Sequence, residues 1–164
     1  HPRVPRRGPG AGGQLDDSMF GPSTLDPDMK RRSIYFMVKR SRLVPMMTVF
    51  DAPDATVGID RRTCTTIAPQ ALLVINNPNV RASAVALAGR MCPDAAANLS
   101  AAVRTGFMLT VSRPPSEGEL NGALAFLDTQ AKSYAATGDP APAQTAMADF
   151  AQVLLGLNEF VYIE

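Results

Sequence analysis

The chain has 164 residues, enough for one domain with a core, and its apolar content of 46% is that of a globular protein. Aromatics make up 6% and Trp is absent, so the core must be assembled from Leu, Val, Ile, Ala, Met and a few Phe. The net charge of +1 excludes a global field drawing the chain to nucleic acid or an anionic membrane, and the longest apolar run, Ala71 to Ile75, falls far short of the roughly 20 residues of a membrane span.

Residues 1–32 are rich in Pro and Gly and poor in apolar side chains, so burial offsets little of their backbone entropy. A poorly ordered arm is expected over residues 1–14, followed by an irregular wrapped segment around Leu15, Met19, Phe20 and Leu25. The start, HPRVPRRGPGAGG, has no apolar stretch resembling a signal peptide and no initiator Met, and reads as a fragment or processed product. Residues 15–164 read as a single domain. Within it, Ile34, Tyr35, Phe36 and Val38 are β-formers and predict a strand over 33–39, although alternation is imperfect and a short helix competes. Pro45 blocks continuation, and PMMTVF forms a helical turn. Residues 51–66, with Pro53, Gly58 and three Asp, form a long polar loop.

From residue 66 onward helices dominate. Thr65 or Thr66 caps the first, which runs through Ile75 with Pro69 in its first turn. Asn77-Pro78 opens the second, whose stripe is Val80, Ala84, Leu87 and Met91. Asp94 is expected to cap the third, with Leu99, Val103, Phe107 and Val111 on one face and Pro114-Pro115 past its end. Ser116-Glu117-Gly118-Glu119 is a capping box opening the fourth, with Leu120, Leu124, Leu127, Ala131 and Tyr134. Thr137-Gly138-Asp139-Pro140 breaks the chain before the fifth, with Met147, Phe150, Leu154 and Leu157. The closing NEFVYIE is read as extended or a last turn that docks back onto the bundle. The predicted fold class is therefore mainly α: about five helices over 66–157, with an irregular or short-stranded N-terminal segment.

Several short motifs occur in order. Arg31-Arg32-Ser33-Ile34-Tyr35-Phe36-Met37-Val38-Lys39-Arg40-Ser41 is followed by Phe50-Asp51-Ala52-Pro53-Asp54, Arg61-Arg62 and Thr65-Thr66-Ile67-Ala68-Pro69-Gln70-Ala71-Leu72. Asn76-Asn77-Pro78, Arg113-Pro114-Pro115 and Asn158-Glu159-Phe160 complete the series. The ordered set resembles domain of unknown function 1553, a planctomycete-specific C-terminal domain family, from about Gly13 to the chain end. The resemblance implies a long, multidomain, exported bacterial parent protein with a second uncharacterised domain upstream and often a c-type cytochrome module. It implies a periplasmic or cell-surface location, upstream domains as partners, and a chain that is the C-terminal part of a larger family domain. Any haem would belong to another module of the parent; no cofactor is expected in this chain.

Two clusters are candidate sites. Asp51, Asp54 and Asp60 lie beside Arg61 and Arg62, and paired carboxylates serve general acid–base chemistry, glycoside hydrolysis or Ca²⁺ binding. The structural reading, favoured, has the Asp cap turns and pair with the arginines. Arg31, Arg32, Lys39 and Arg40, with Lys30 and Arg42, match anions such as sulfate or carboxylate and make an anionic polysaccharide a possible partner; pairing with the acidic loop is the structural alternative. No nucleic-acid signature accompanies them. The single His, His1, leaves the folded part without a His-dependent triad or an ordinary zinc site. Cys64 and Cys92 show no metal spacing and are read as packed thiols before a disulfide. Asn98-Leu99-Ser100 fits a glycosylation pattern but falls within a predicted helix. The leading expectation is a non-catalytic structural or docking domain, ahead of an anion- or glycan-binding module and of a hydrolase.

Overall fold

The computed structural model describes residues 12–39, 44, 47, 72, 74–93 and 98–161. Four long helices carry the fold: α1 Pro78–Met91, α2 Leu99–Val111, α3 Glu117–Ala136 and α4 Pro142–Leu155. A single helical turn, α5 Asn158–Val161, follows, and residues 72 and 74–76 are also helical. The chain is mainly helical, as its periodicity predicts.

Each helix starts where local chemistry permits. Asn77 caps α1 by accepting from the Asn79 amide at 2.8 Å, and Pro78 occupies the first helical position, where no N–H is needed. At α3, the Ser116 hydroxyl accepts from the Glu119 amide at 3.3 Å and the Glu119 carboxylate accepts from the Ser116 amide at 2.7 Å, so the predicted capping box forms. Helix α3 ends at Ala136 and is stopped by Gly138, whose φ of +80° is left-handed; the Gly138 and Asp139 amides turn back to Ala135 and Tyr134 oxygens at 3.2 and 3.1 Å.

Helix α2 differs from expectation. It starts at Leu99, and Asn98 is its cap, accepting from the Ser100 amide at 2.9 Å. The expected cap, Asp94, lies outside the described residues and upstream of this start. Leu99, expected on the core face, is the first helical residue and is exposed, while Ala102, Val103, Gly106 and Phe107 face the core. Asn98 thus stands before the helix rather than within it.

Helix α4 is the centre of the bundle, with α1 and α3 packed most extensively against it. It contributes Ala146, Met147, Phe150, Ala151, Leu154 and Leu155 to a core joined by Ala84, Leu87 and Met91 of α1, Val103 and Phe107 of α2, and Leu127 of α3. Leu87, Leu154 and Val103 are fully buried; each such side chain contributes about 1.5–3 kcal/mol relative to exposure. Alanines at the contacts let the helices approach closely. Gly106 marks the tightest approach: a Cβ there would lie 2.7 Å from Met91 Cε and 2.8 Å from Leu154 Cδ1. The tilted Phe126 and Phe150 rings, 6.3 Å apart, complete the α3–α4 face.

Ahead of the bundle, residues 12–39 form an irregular segment rather than the expected strand over 33–39. Ser33–Tyr35 is a 3-10 turn, closed by the Tyr35 amide to Arg32 oxygen and the Phe36 amide to Ser33 oxygen, both 3.0 Å. Isolated bridges join Asp16 with Arg31 and Thr24 with Phe36. Propensity favours a strand here, but a strand would carry Tyr35 away from Arg31 and the turn it supports. The segment is pinned to the bundle by Asn79 Nδ2, which donates to Asp28 Oδ1 at 2.8 Å. Residue 47 is helical and its amide reaches the Val44 oxygen at 2.9 Å; the rest of PMMTVF lies outside the described residues. Residues 1–11 of the expected arm, the loop 51–66, the Thr65/Thr66 cap and Cys64 lie outside the described residues.

Candidate docking surface

The most elaborate local construction in the N-terminal segment surrounds residues 18–22. Arg31 directs its guanidinium into this turn and donates to the oxygens of Ser18, Phe20 and Pro22. The same group lies 3.6 Å from the centroid of the Tyr35 ring, a cation–π contact. Tyr35 in turn accepts the Phe20 N–H through its hydroxyl oxygen at 3.0 Å. Asp16 accepts the Ser18 amide at 2.9 Å, and that bond holds the Asp16 carboxyl below its ordinary pKa.

This clamp holds Phe20 at φ +67°, a left-handed conformation uncommon for a bulky residue, and Gly21 follows at φ +93°. The side chains so presented point to water: Met19 is 73% exposed and Phe20 80%. Ile34 and Val38, on the same segment, are also exposed. The irregular segment expected around Leu15, Met19, Phe20 and Leu25 thus leaves Met19 and Phe20 in water. Leu15 and Leu25 are half-buried, but Arg31 pulls the turn's carbonyls inward and leaves its side chains outside. The Gly21-Pro22 pair was the available signal, since such a pair marks a turn and puts the residues before it at a tip.

Two polar networks brace the bundle. Asp149 on α4 accepts from Arg81 of α1 at 2.7 Å and from the Tyr134 hydroxyl of α3 at 2.6 Å. Accepting by Asp149 holds the tyrosine proton, so the Tyr134 pKa is raised. Gln152 accepts from Arg81 and donates to the Ile75 oxygen at 2.7 Å, tying the helical residues 74–76 to α4. The second network centres on Arg113, between α2 and α3. It pairs with Glu119 of the capping box and with Glu159 of α5, each at 2.8 Å. Arg113 lowers the Glu119 pKa to about 2 and depresses that of Glu159, while the two carboxylates raise its own. The closing segment thus docks back on the bundle.

Of the sequence-derived candidates, Arg31 is the clamp of the 18–22 turn, held by carbonyls and a ring. Arg32 and Lys39 are exposed. Arg40, Asp51, Asp54, Asp60, Arg61 and Arg62 lie outside the described residues. The ion-pair networks that the described residues do form draw on Arg81 and Asp149, which the sequence pattern does not single out, and on Arg113 and Glu159, which enter only as parts of the ordered motifs. Among the described residues no three His, Cys, Asp or Glu side chains are grouped to hold a metal, and no helix is long and apolar enough to cross a membrane.

Together these features define a mainly helical domain with an apolar turn displayed beside its bundle. The model of the family described as protein of unknown function (DUF1553) matches residues 10–127, more than half of the chain, and the chain belongs to that family. The match ends within α3, so the central helix α4 lies past it. No curated protein and no solved structure matches the chain.

Proposed function

We propose that this chain is a non-catalytic structural and docking domain of a larger, exported bacterial protein of the planctomycete type. Its partners are the preceding domains of the same polypeptide, among them any c-type cytochrome module that carries haem. The observation that supports this reading is the Met19–Phe20 turn. A fold gains nothing from an exposed Phe held in a left-handed conformation, whereas an interface gains a pre-organised aromatic anchor. The charged networks on Arg81 and Arg113, meanwhile, pair side chains from different helices and so brace the fold.

Peroxide oxidation of Met19, followed by mass spectrometry, tests the reading. Met19 should oxidise readily in this chain alone and be protected several-fold in the intact parent polypeptide, with the exposed Met108 of α2 as internal comparison. Equal rates at Met19 in both would overturn it. A second reading, an anion- or glycan-binding module, draws support from Lys30, Arg32 and Lys39, which are exposed and have no ion pair among the described residues. Salt-sensitive binding of a sulfated polysaccharide that Arg32→Ala and Lys39→Ala abolish, without lowering the melting temperature, would favour it.

A further inference from the structure

We propose that the outer edge of Arg113 is a binding site for a glutamate-bearing peptide, which Glu159 occupies from within the chain. The two carboxylates on Arg113 are held in unlike ways. Glu119 meets the Nη1 and Nη2 atoms at 3.0 and 2.8 Å and is also locked into the capping box by the Ser116 amide. It cannot leave without breaking the reciprocal half of the capping box on α3. Glu159 meets the other edge, Nε to Oε1 at 2.8 Å and Nη2 to Oε2 at 2.9 Å, the side-on fork that fits a carboxylate. Among the described residues its carboxylate has no other donor, and it rides on a helix of only four residues.

The receiving side is built to stay in place when that carboxylate departs. Ser112 takes the left-handed conformation, φ +58°, at the end of α2, and the buried Pro115 follows Arg113-Pro114. The Phe107 ring lies 5.5 Å from the guanidinium carbon. Glu119, ionised down to about pH 2, fixes the inner edge and orients the outer one. What the site accepts is defined by its present occupant: a Glu side chain on a helical turn, followed by the part-exposed Phe160. Displacing Glu159 breaks the ion pair that ties α5 to Arg113, while α5 keeps its packing on α2 and α4, so a partner with such a turn exchanges its carboxylate for the chain's own.

The probe is the peptide acetyl-Asn-Glu-Phe-Val-amide, titrated into the full chain by calorimetry. Removing the internal competitor with Glu159→Ala should tighten peptide binding about tenfold over wild type, because an intramolecular carboxylate competes at an effective concentration in the millimolar range. Adding Arg113→Gln should abolish that gain, and a peptide with Gln in place of Glu should not bind. If a cooperatively melting Glu159→Ala protein binds no peptide, the proposal is overturned. Binding that survives Arg113→Gln overturns it as well, and so does galacturonate binding as tightly as the peptide, which would make the site one for any carboxylate. Should Glu159→Ala fail to melt cooperatively, the same comparison is made with Glu159→Gln, which keeps the side chain's shape. The proposal does not depend on the Met19–Phe20 reading, and Met19 protection is unaffected by its failure.

Discussion

At the scale of single residues, Phe20 sets function against stability. A left-handed conformation costs an L-residue roughly 1–2 kcal/mol, and Phe20 recovers almost nothing by burial. Phe20→Gly is therefore expected to stabilise the isolated chain by about 1 kcal/mol, seen as a small rise in melting temperature, while removing the aromatic anchor. A fall in melting temperature would mean that Phe20 packs against something in the free chain. Glu119 gives a second test at this scale. Its folded pKa is about 2 against an ordinary 4.5, so its contribution is complete above pH 4.5 and is lost as pH falls from there through about 2. The depressed Glu159 acts in the same direction. At low salt the melting temperature of wild type should fall more steeply over that window than that of Arg113→Gln. Parallel curves would show that the pairing survives in the unfolded chain or adds nothing.

Elements were legible where a local rule acts alone. Asn77-Pro78 and the Ser116–Glu119 box each join a few adjacent residues, and both form as read. The stripes on α1 and α4 were equally plain, because Ala84, Leu87 and Met91, or Phe150 and Leu154, repeat at helical spacing toward one core. Reading failed where partners are distant. Nothing near Tyr35 announces that Arg31 and the Phe20 amide require it, so β-propensity pointed to a strand. Asn98 and Asp94 are both good caps, and nothing in the local sequence ranks Asn98, which caps α2, above Asp94. Arg113 reaches Glu159 across 46 residues, a pairing invisible to spacing. Glycines test packing at this scale. Gly122→Ala on α3, with no atom within 4 Å of the added carbon, should stabilise by about 0.5–1 kcal/mol through helix propensity. Gly106→Ala should instead destabilise by about 1 kcal/mol, since Met91 and Leu154 must shift by an amount that outweighs the same gain. Denaturant midpoints of the two variants read the difference, and a stabilised Gly106→Ala would show that the buried Met91 tip yields freely.

For the whole molecule, the division of labour is between a bundle braced by polar networks at two places and an irregular segment attached across its side. Arg81, Asp149, Tyr134 and Gln152 tie three helices and residues 74–76 into one unit, so the bundle should respond to strain as a body. The absence of Trp, together with the Tyr134–Asp149 contact, has a practical consequence for watching that unit fold. A phenol whose proton is held by a carboxylate emits weakly, and Tyr134 is held so only while α3 and α4 are packed. Of the three tyrosines, the emission of Tyr134 should therefore rise on unfolding, and Asp149→Asn should brighten the native protein. In a molecule with no indole to report on it, that one bond is a built-in optical gauge of whether the two helices are together.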